Sequence, residues 1–339
     1  MARTKTWGLA LAVLSSVCFG ASGPFGKALI GAGLDPLQAV WIRIAGAALV
    51  LVPLVLVLHG RGVLAAVRPH WPQLAAYGAV ALAACQALYF VAASRLPVGI
   101  AILLEFTGPV LVLIWIRTVR RTRVHRSAAL GVGVAMAGLA CVVEIWSGVD
   151  LDALGLAAGL GAAACQAAYF LMVDRLTGRV DPLVMTAAGA VVGAVLLTGL
   201  AAPWAMPWHV LGDPVAVGDH TAPGWLLAAW IIVVSTVVAY ATGAAAVQRL
   251  SAQVAGGICY TEAVAATVIA WAALGERLTD PQLVGGAIVL TGAFIAQRAA
   301  SAPALAPDTA PTAPTAPLAP AVPAGSAGSV AAPAPEVAG

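Results

Sequence analysis

RLPVGIAILLEFTGPVLVLIWIRTVRRTRVHR, residues 95–126, is the stretch whose reading decides the fold. Its apolar part, Val98 to Ile116, is 19 residues long. As an α-helix that is about 28 Å, roughly the thickness of a bilayer's hydrocarbon core. Near its midpoint stands a carboxylate, Glu105, followed four residues later by Pro109. The run ends in Arg117, Arg120, Arg121, Arg123 and Arg126, the kind of basic cluster retained on the cytoplasmic side of a membrane. A charge at mid-membrane is costly, so Glu105 is expected to face a protein interior or a wet cavity.

The rest of the chain supplies that interior. Of 339 residues 61% are hydrophobic and only 9% charged, against about 25% charged in a soluble domain. A water-facing surface cannot be built from so few charges. The net charge of +3 does not point to nucleic acid, because the basic residues gather at the ends of apolar runs. Lysine is rare beside arginine, which with the Ala/Gly/Val bias fits a GC-rich bacterial genome. All five cysteines fall in apolar runs without CxxC spacing, so they read as small buried hydrophobes, and no metal site is expected.

Ten apolar runs can be marked, at 7–30, 36–58, 72–93, 97–116, 127–146, 153–173, 183–202, 224–246, 251–274 and 281–298. Tryptophans at run ends, such as Trp7, Trp71, Trp115 and Trp225, fit an interfacial belt. The loop 203–223, with its Pro and Gly residues, reads as an interfacial non-helical segment. Residues 299–339 form an Ala/Pro-rich tail expected to be disordered. With the N-terminus cytoplasmic, thirteen of the 17 Lys and Arg fall in cytoplasmic segments. Both termini are therefore expected inside.

The chain also repeats itself. Gly33-Leu34-Asp35-Pro36-Leu37 recurs as Arg179-Val180-Asp181-Pro182-Leu183, each time opening a run. Arg95-Leu96 matches Arg249-Leu250, and Gly131 and Gly138 match Gly285 and Gly292, all at an offset of 154. Five runs per copy is an odd number, so the second copy must enter the membrane from the opposite face. The fold expected is an all-α polytopic membrane protein, ten transmembrane helices as two inverted five-helix repeats, 1–146 and 153–298. Inverted repeats with a site between them suit alternating access.

With GIAILLEFTGPVLVL (99–113) and TEAVAATVIAWAALGERLTDPQLVGGAIVLTG (261–292), the chain resembles the drug/metabolite transporter superfamily, and within it the EamA family. The likeness covers 7–298, and the EFTGP form is similar to amino-acid exporters of the threonine/homoserine type. It implies a secondary transporter of a bacterial plasma membrane, with a Glu and/or Pro signature in the fourth and ninth runs. Where second halves of the family often read Glu-Pro, this chain has Glu262-Ala263.

Glu105 and Glu262 are the carboxylates deep in the expected spans, and read either as a proton- or ammonium-binding pair or as structural partners, for example of Arg43. Arg43, roughly 10 Å into the second run, reads as a ligand for a substrate carboxylate or as a structural partner of a Glu. Lys27 and Arg95, nearer run ends, are expected to snorkel. ACQALYF (84–90) and ACQAAYF (164–170) place Gln86 with Tyr89 and Gln166 with Tyr169 on one helix face, to line a cavity or to bond between helices. Tyr240 is a further lining candidate. Pro24, Gly108 and Pro109 mark candidate helix breaks.

No phosphate-binding GxxxxGK[ST] loop occurs, all five histidines are expected in loops, and there is no HExxH. The sequence thus favours a transporter over a membrane-embedded enzyme or sensor, with no cofactor. The expectation is export of a small polar metabolite or amino acid in exchange for protons, an importer or exchanger being the alternative. The partners expected are a small-molecule substrate, the proton and the lipid bilayer, in a monomer or homodimer.

Overall fold

In the computed structural model the residues described are 2–60, 62–119, 126–143, 152–176, 178–247 and 261–300. Most of the basic cluster, the first part of the run 251–274, and the Ala/Pro tail lie outside them. The first half begins with α1 (Ala2–Gly20) and α2 (Ser22–Gly31), which meet at Ala21, and continues with α3 (Pro36–His59). Two short helices, α4 (Gly62–Val67) and α5 (Trp71–Tyr77), lead through a π-helical segment (Gly78–Ala84) into α6 (Cys85–Arg95). Then follow α7 (Val98–Glu105), α8 (Gly108–Thr118) and α9 (Arg126–Val143).

The second half runs α10 (Ala153–Leu176), α11 (Pro182–Ala201), α12 (Gly224–Ala229), a second π-helical segment (Trp230–Val238), α13 (Ala239–Val247), α14 (Thr261–Leu274) and α15 (Asp280–Ala300). Between α11 and α12 lie two 3-10 turns and an antiparallel hairpin of β1 (Pro214–Val217) and β2 (His220–Pro223), paired Val215 to Ala222. The hairpin is the one departure from an all-helical reading among the described residues. Gly218, at φ 61°, makes its turn, a conformation that side chains with a Cβ disfavour.

Among the described residues, five helices are long and apolar enough to cross a membrane: Thr6–Gly31, Pro36–His59, Gly62–Arg95, Pro182–Ala201 and Gly224–Gly243. Leu130–Val142, Ala153–Tyr169, Thr261–Leu274 and Asp280–Ile295 are shorter apolar helices. Their outer faces carry large apolar side chains, among them Leu49, Val57, Val195 and Leu200, each more than two-thirds exposed. An apolar exterior of that extent suits lipid rather than water. Small residues fill much of the interior, with Ala39, Ala47, Ala92, Ala101, Ala162 and Ala190 fully buried, as close helix approach in a membrane requires.

The repeated Asp-Pro-Leu is a helix start. Asp35 takes up extended backbone, accepts the Leu37 N–H at 2.8 Å, and has its own N–H accepted by Gln38 Oε1 at 3.0 Å. Asp181 likewise accepts from the Leu183 N–H at 2.8 Å, and a proline follows each cap where its missing N–H costs nothing. The four matched glycines meet crosswise in space. A methyl group on Gly292 would lie 2.7 Å from the Gly131 carbonyl oxygen, and one on Gly285 would lie 2.8 Å from that of Gly138. Thus α9 and α15 run antiparallel, backbone against backbone, with Gly131 against Gly292 and Gly138 against Gly285, crosswise to the repeat pairing. Helices α3 and α11, the mates opened by Asp35 and Asp181, also pack on one another.

Candidate functional site

Arg43 lies on the buried face of α3 and is 2% exposed. Its guanidinium is held by two helices. Nη1 donates to Gln86 Oε1 of α6 at 2.6 Å, while Nε donates to Thr236 Oγ1 at 3.0 Å and Nη2 to the Ser235 carbonyl at 3.2 Å. The ring of Phe90 lies 5.9 Å below the guanidinium carbon, a cation–π distance. Ser235 and Thr236 belong to the second π-helical segment, a widened turn of the kind often found at functional sites. Thr236 Oγ1 in turn donates to the Ile231 carbonyl, five residues back, at 2.8 Å.

Among the described residues no carboxylate lies within salt-bridge distance of Arg43; the ion pairs are Lys27–Glu276, His59–Asp181 and Arg95–Asp152. The Glu–Arg43 pair weighed from sequence is therefore not formed. What holds the cation is a set of neutral oxygens, which accept three of its N–H groups without neutralising its charge.

Glu105 ends α7, and the chain then breaks helix at Phe106-Thr107 before Gly108-Pro109 opens α8. The break has a local cause. Proline has no N–H for the carbonyl four residues back, which is that of Glu105, and the Phe106 and Thr107 N–H groups tighten onto the α7 end instead, on Ile102 and Leu104. The carboxylate accepts from Gln166 Nε2 of α10 at 3.4 Å, and Cys85 Sγ lies 3.5 Å from the same oxygen. Gly108 leaves room for this, since a methyl there would stand 2.7 Å from Gln166 Oε1. Cys85 is thus more than the inert filler read from its surroundings in sequence.

Glu262 sits in the first turn of α14, facing inward against α1, where a methyl on Gly20 would meet its carbonyl oxygen at 3.0 Å. Its carboxylate is within electrostatic reach of both Glu105 and Arg43. Tyr89 and Tyr240 belong to the same neighbourhood, each coupled to Arg43, Glu105 and Glu262. Tyr89 is fully buried, and its hydroxyl has no hydrogen-bond partner among the described residues; nor do Gln166 Oε1 and Ser235 Oγ. Tyr240 packs edge-on to Phe19 at 4.8 Å. The ring of Tyr169 lies 6.0 Å from that of Tyr77.

Pro24 occupies the first turn of α2, and the helix is interrupted only at Ala21, where the backbone bonds of Ala21 to Val17 and of Phe25 to Ala21 carry across. The glycines around it serve close packing: Gly20 admits α14, Gly23 admits Tyr89 and Val98, and Gly26 admits the ring of Phe90. No unwound segment forms there.

Two cations depart from the expectation of snorkelling. Lys27 Nζ pairs with Glu276 Oε1 at 2.6 Å and donates to the Leu96 carbonyl at 2.8 Å, while Glu276 Oε2 accepts the Val98 N–H at the start of α7, also at 2.8 Å. Arg95 pairs with Asp152 at 3.2 Å. The Gly155 N–H first, and the Arg95 guanidinium after it, hold the Asp152 carboxyl below the ordinary aspartate range. Ser235, Thr236, Phe90 and Cys85 were not legible as site residues, although Ser235-Thr236 is the hydroxyl pair in an otherwise apolar run, WIIVVSTVV.

The chain matches the model of the EamA-like transporter family twice, over residues 6–144 and 153–297. Arg43, Gln86 and Glu105 thus come from the first matched segment, and Gln166, Ser235, Thr236, Tyr240 and Glu262 from the second. The threonine/homoserine exporter RhtA of Escherichia coli K12 is 30% identical over 217 residues, 63% of this chain and 67% of that protein. The protein of the same name from Salmonella typhimurium LT2 is 28% identical over 200 residues, 58% of this chain and 61% of its own. A solved crystal structure, 21% identical, superposes with a TM-score of 0.55 and covers 87% of this chain and 97% of its own, a likeness of fold.

Proposed function

Since this chain belongs to the EamA-like transporter family, we propose that it is a secondary active transporter of a bacterial plasma membrane, exporting a small amino acid in exchange for protons by alternating access. The observation that carries this reading is the composition of the central cluster. Two carboxylates and a cation lie within electrostatic reach of one another, contributed by both repeats, in a chain with few other interior charges. A zwitterion needs that pairing: a cation for its carboxylate and a carboxylate for its ammonium.

Arg43 commits three N–H directions to Gln86, Thr236 and Ser235, and a guanidinium has five. The remaining two are available for a substrate carboxylate. Glu105 and Glu262 then offer sites that the substrate ammonium and the proton occupy in turn. That competition is the coupling. Substrate on the carboxylates on one side of the cycle is replaced by protons on the other, so entry of protons drives export of the substrate. The printed names of the relatives make threonine and homoserine the first substrates to test.

The ten-span inverted arrangement is part of the same proposal. The nine apolar helical stretches among the described residues, taken with the broken stretch 98–118, favour a reading of ten crossings, and the antiparallel glycine contact of α9 with α15 supports opposite entry of the two halves. The cytoplasmic placement of both termini rests on the arginine count. The reading is tested by loading cells that lack their own exporters with radiolabelled amino acids and following efflux. Expression of this protein should speed the loss of threonine or a related small amino acid, and a protonophore should abolish the gain. Unchanged efflux across the panel, with the protein present in the membrane, would refute export.

A further inference from the structure

We propose that the cavity at the Lys27 end of the bundle is a second binding site, an outer vestibule for a zwitterionic amino acid, in which Lys27 takes the carboxylate and Glu276 and Asp213 take the ammonium. The inference rests on the transporter reading above and on the arginine count, which places this end outside. The cavity measures about 520 Å³, and Lys27, Asp213 and Glu276 line it beside the apolar walls of Val210, Val215 and Leu274. That volume falls within the roughly 300–1,000 Å³ usual for small-molecule sites.

The charged pair is built into three elements at once. Lys27 projects from α2, Glu276 follows α14, and between them they hold the Leu96 carbonyl and the Val98 N–H at the turn into α7. Their side chains remain 26% and 18% exposed, so both charges reach the cavity. A zwitterion carries the same two charges as the pair. Its carboxylate can replace Glu276 on Lys27 while its ammonium replaces Lys27 on Glu276, and neither protein charge is left bare. A ligand with one charge strands the other, which costs far more in a half-buried site than in water. The pair therefore selects zwitterions. Asp213, ahead of β1, adds a second acceptor for the ammonium.

Behind the pair, α2 packs closely on α6 and α7. Gly23, one helical turn before Lys27 on α2, packs against Val98 and Tyr89. Tyr89 is in electrostatic reach of Glu276 on one side and of Glu105 and Glu262 on the other.

The test places a cysteine at Ala216, which lines the cavity, in the full chain reconstituted in vesicles. A membrane-impermeant methanethiosulfonate is added, and labelling is measured above the background of the native cysteines. Saturating threonine should slow labelling of Ala216→Cys by about threefold or more, as occupancy by mass action requires. Threonine methyl ester, lacking the carboxylate, and N-acetylthreonine, lacking the ammonium, should not. Lys27→Gln should remove the protection and Lys27→Arg should keep it. Equal slowing by all three compounds, or none by threonine, overturns the proposal, and this ligand series stands even if Lys27→Gln fails to fold. Flux measured on the same vesicles separates the two readings. Protection without flux keeps the vestibule and sinks the transporter, and flux without protection does the reverse.

Discussion

At the residue scale the central fact is that Arg43 and Glu105, although close, are not partners. Each is satisfied by neutral groups, Arg43 by Gln86, Ser235 and Thr236, and Glu105 by Gln166 with Cys85 beside it. Glu105→Gln therefore leaves no cation stranded. It should insert and purify as a monodisperse species with a Tm close to the parent's, while gradient-driven transport falls at least about tenfold, a loss of about 1.4 kcal/mol or more in the driving step. Arg43→Gln in the same chain should not restore transport, whereas rescue by that second change would reinstate the ion pair. Arg43→Ala is a different kind of lesion. It removes a charged donor from two buried acceptors and one part-buried one, each bond being worth about 1.5–3 kcal/mol, so Tm in detergent should drop by about 5–10 °C. An unshifted Tm would mean that the guanidinium network contributes nothing to the fold.

At the scale of elements, the glycine seam of α9 and α15 is an unforgiving contact. A methyl on Gly292 would meet Ala135 Cα and the Gly131 carbonyl oxygen, both at 2.7 Å, and backbone atoms cannot rotate aside. Gly292→Leu should cost more than the roughly 1–3 kcal/mol of ordinary overpacking and sharply reduce folded yield. Gly199→Ala, with nothing within 4 Å of the added methyl, should change Tm little. Equal yields of the two variants would contradict the seam. This contact also marks how far the sequence could be read. The 154-residue offset identified the matching glycines, because duplication leaves a mark in the letters, but not that Gly131 would meet Gly292, because docking is a three-dimensional choice. Asp35-Pro36 and Asp181-Pro182 were legible as starts since capping is local. The hairpin in the loop 203–223 and the two π-helical segments were not. A π turn is set by what the neighbouring helix needs, here the grip of Ser235 and Thr236 on Arg43. For the same reason Lys27 read as a snorkelling end residue, its partner Glu276 being 249 positions away.

At the scale of the molecule, the ion pairs sort by end. Lys27–Glu276 and Arg95–Asp152 join loops that the arginine count assigns outside, and His59–Asp181 joins loops assigned inside. A reporter fused after Arg68 should accordingly read cytoplasmic and one after Asp219 external; the reverse pattern would overturn the orientation and with it the outer position of the vestibule. The coupled exchange of an amino acid for protons at Glu105 is the claim on which the rest depends. The most direct measurement is uptake of radiolabelled threonine by proteoliposomes containing the purified protein, under an imposed proton gradient and without one. Wild-type vesicles should accumulate threonine only when the lumen is acid relative to the bath, with the label entering as protons leave, and Glu105→Gln vesicles should show no such accumulation. Gradient-driven accumulation that survives Glu105→Gln, or threonine entry indifferent to the gradient in the wild type, would contradict it.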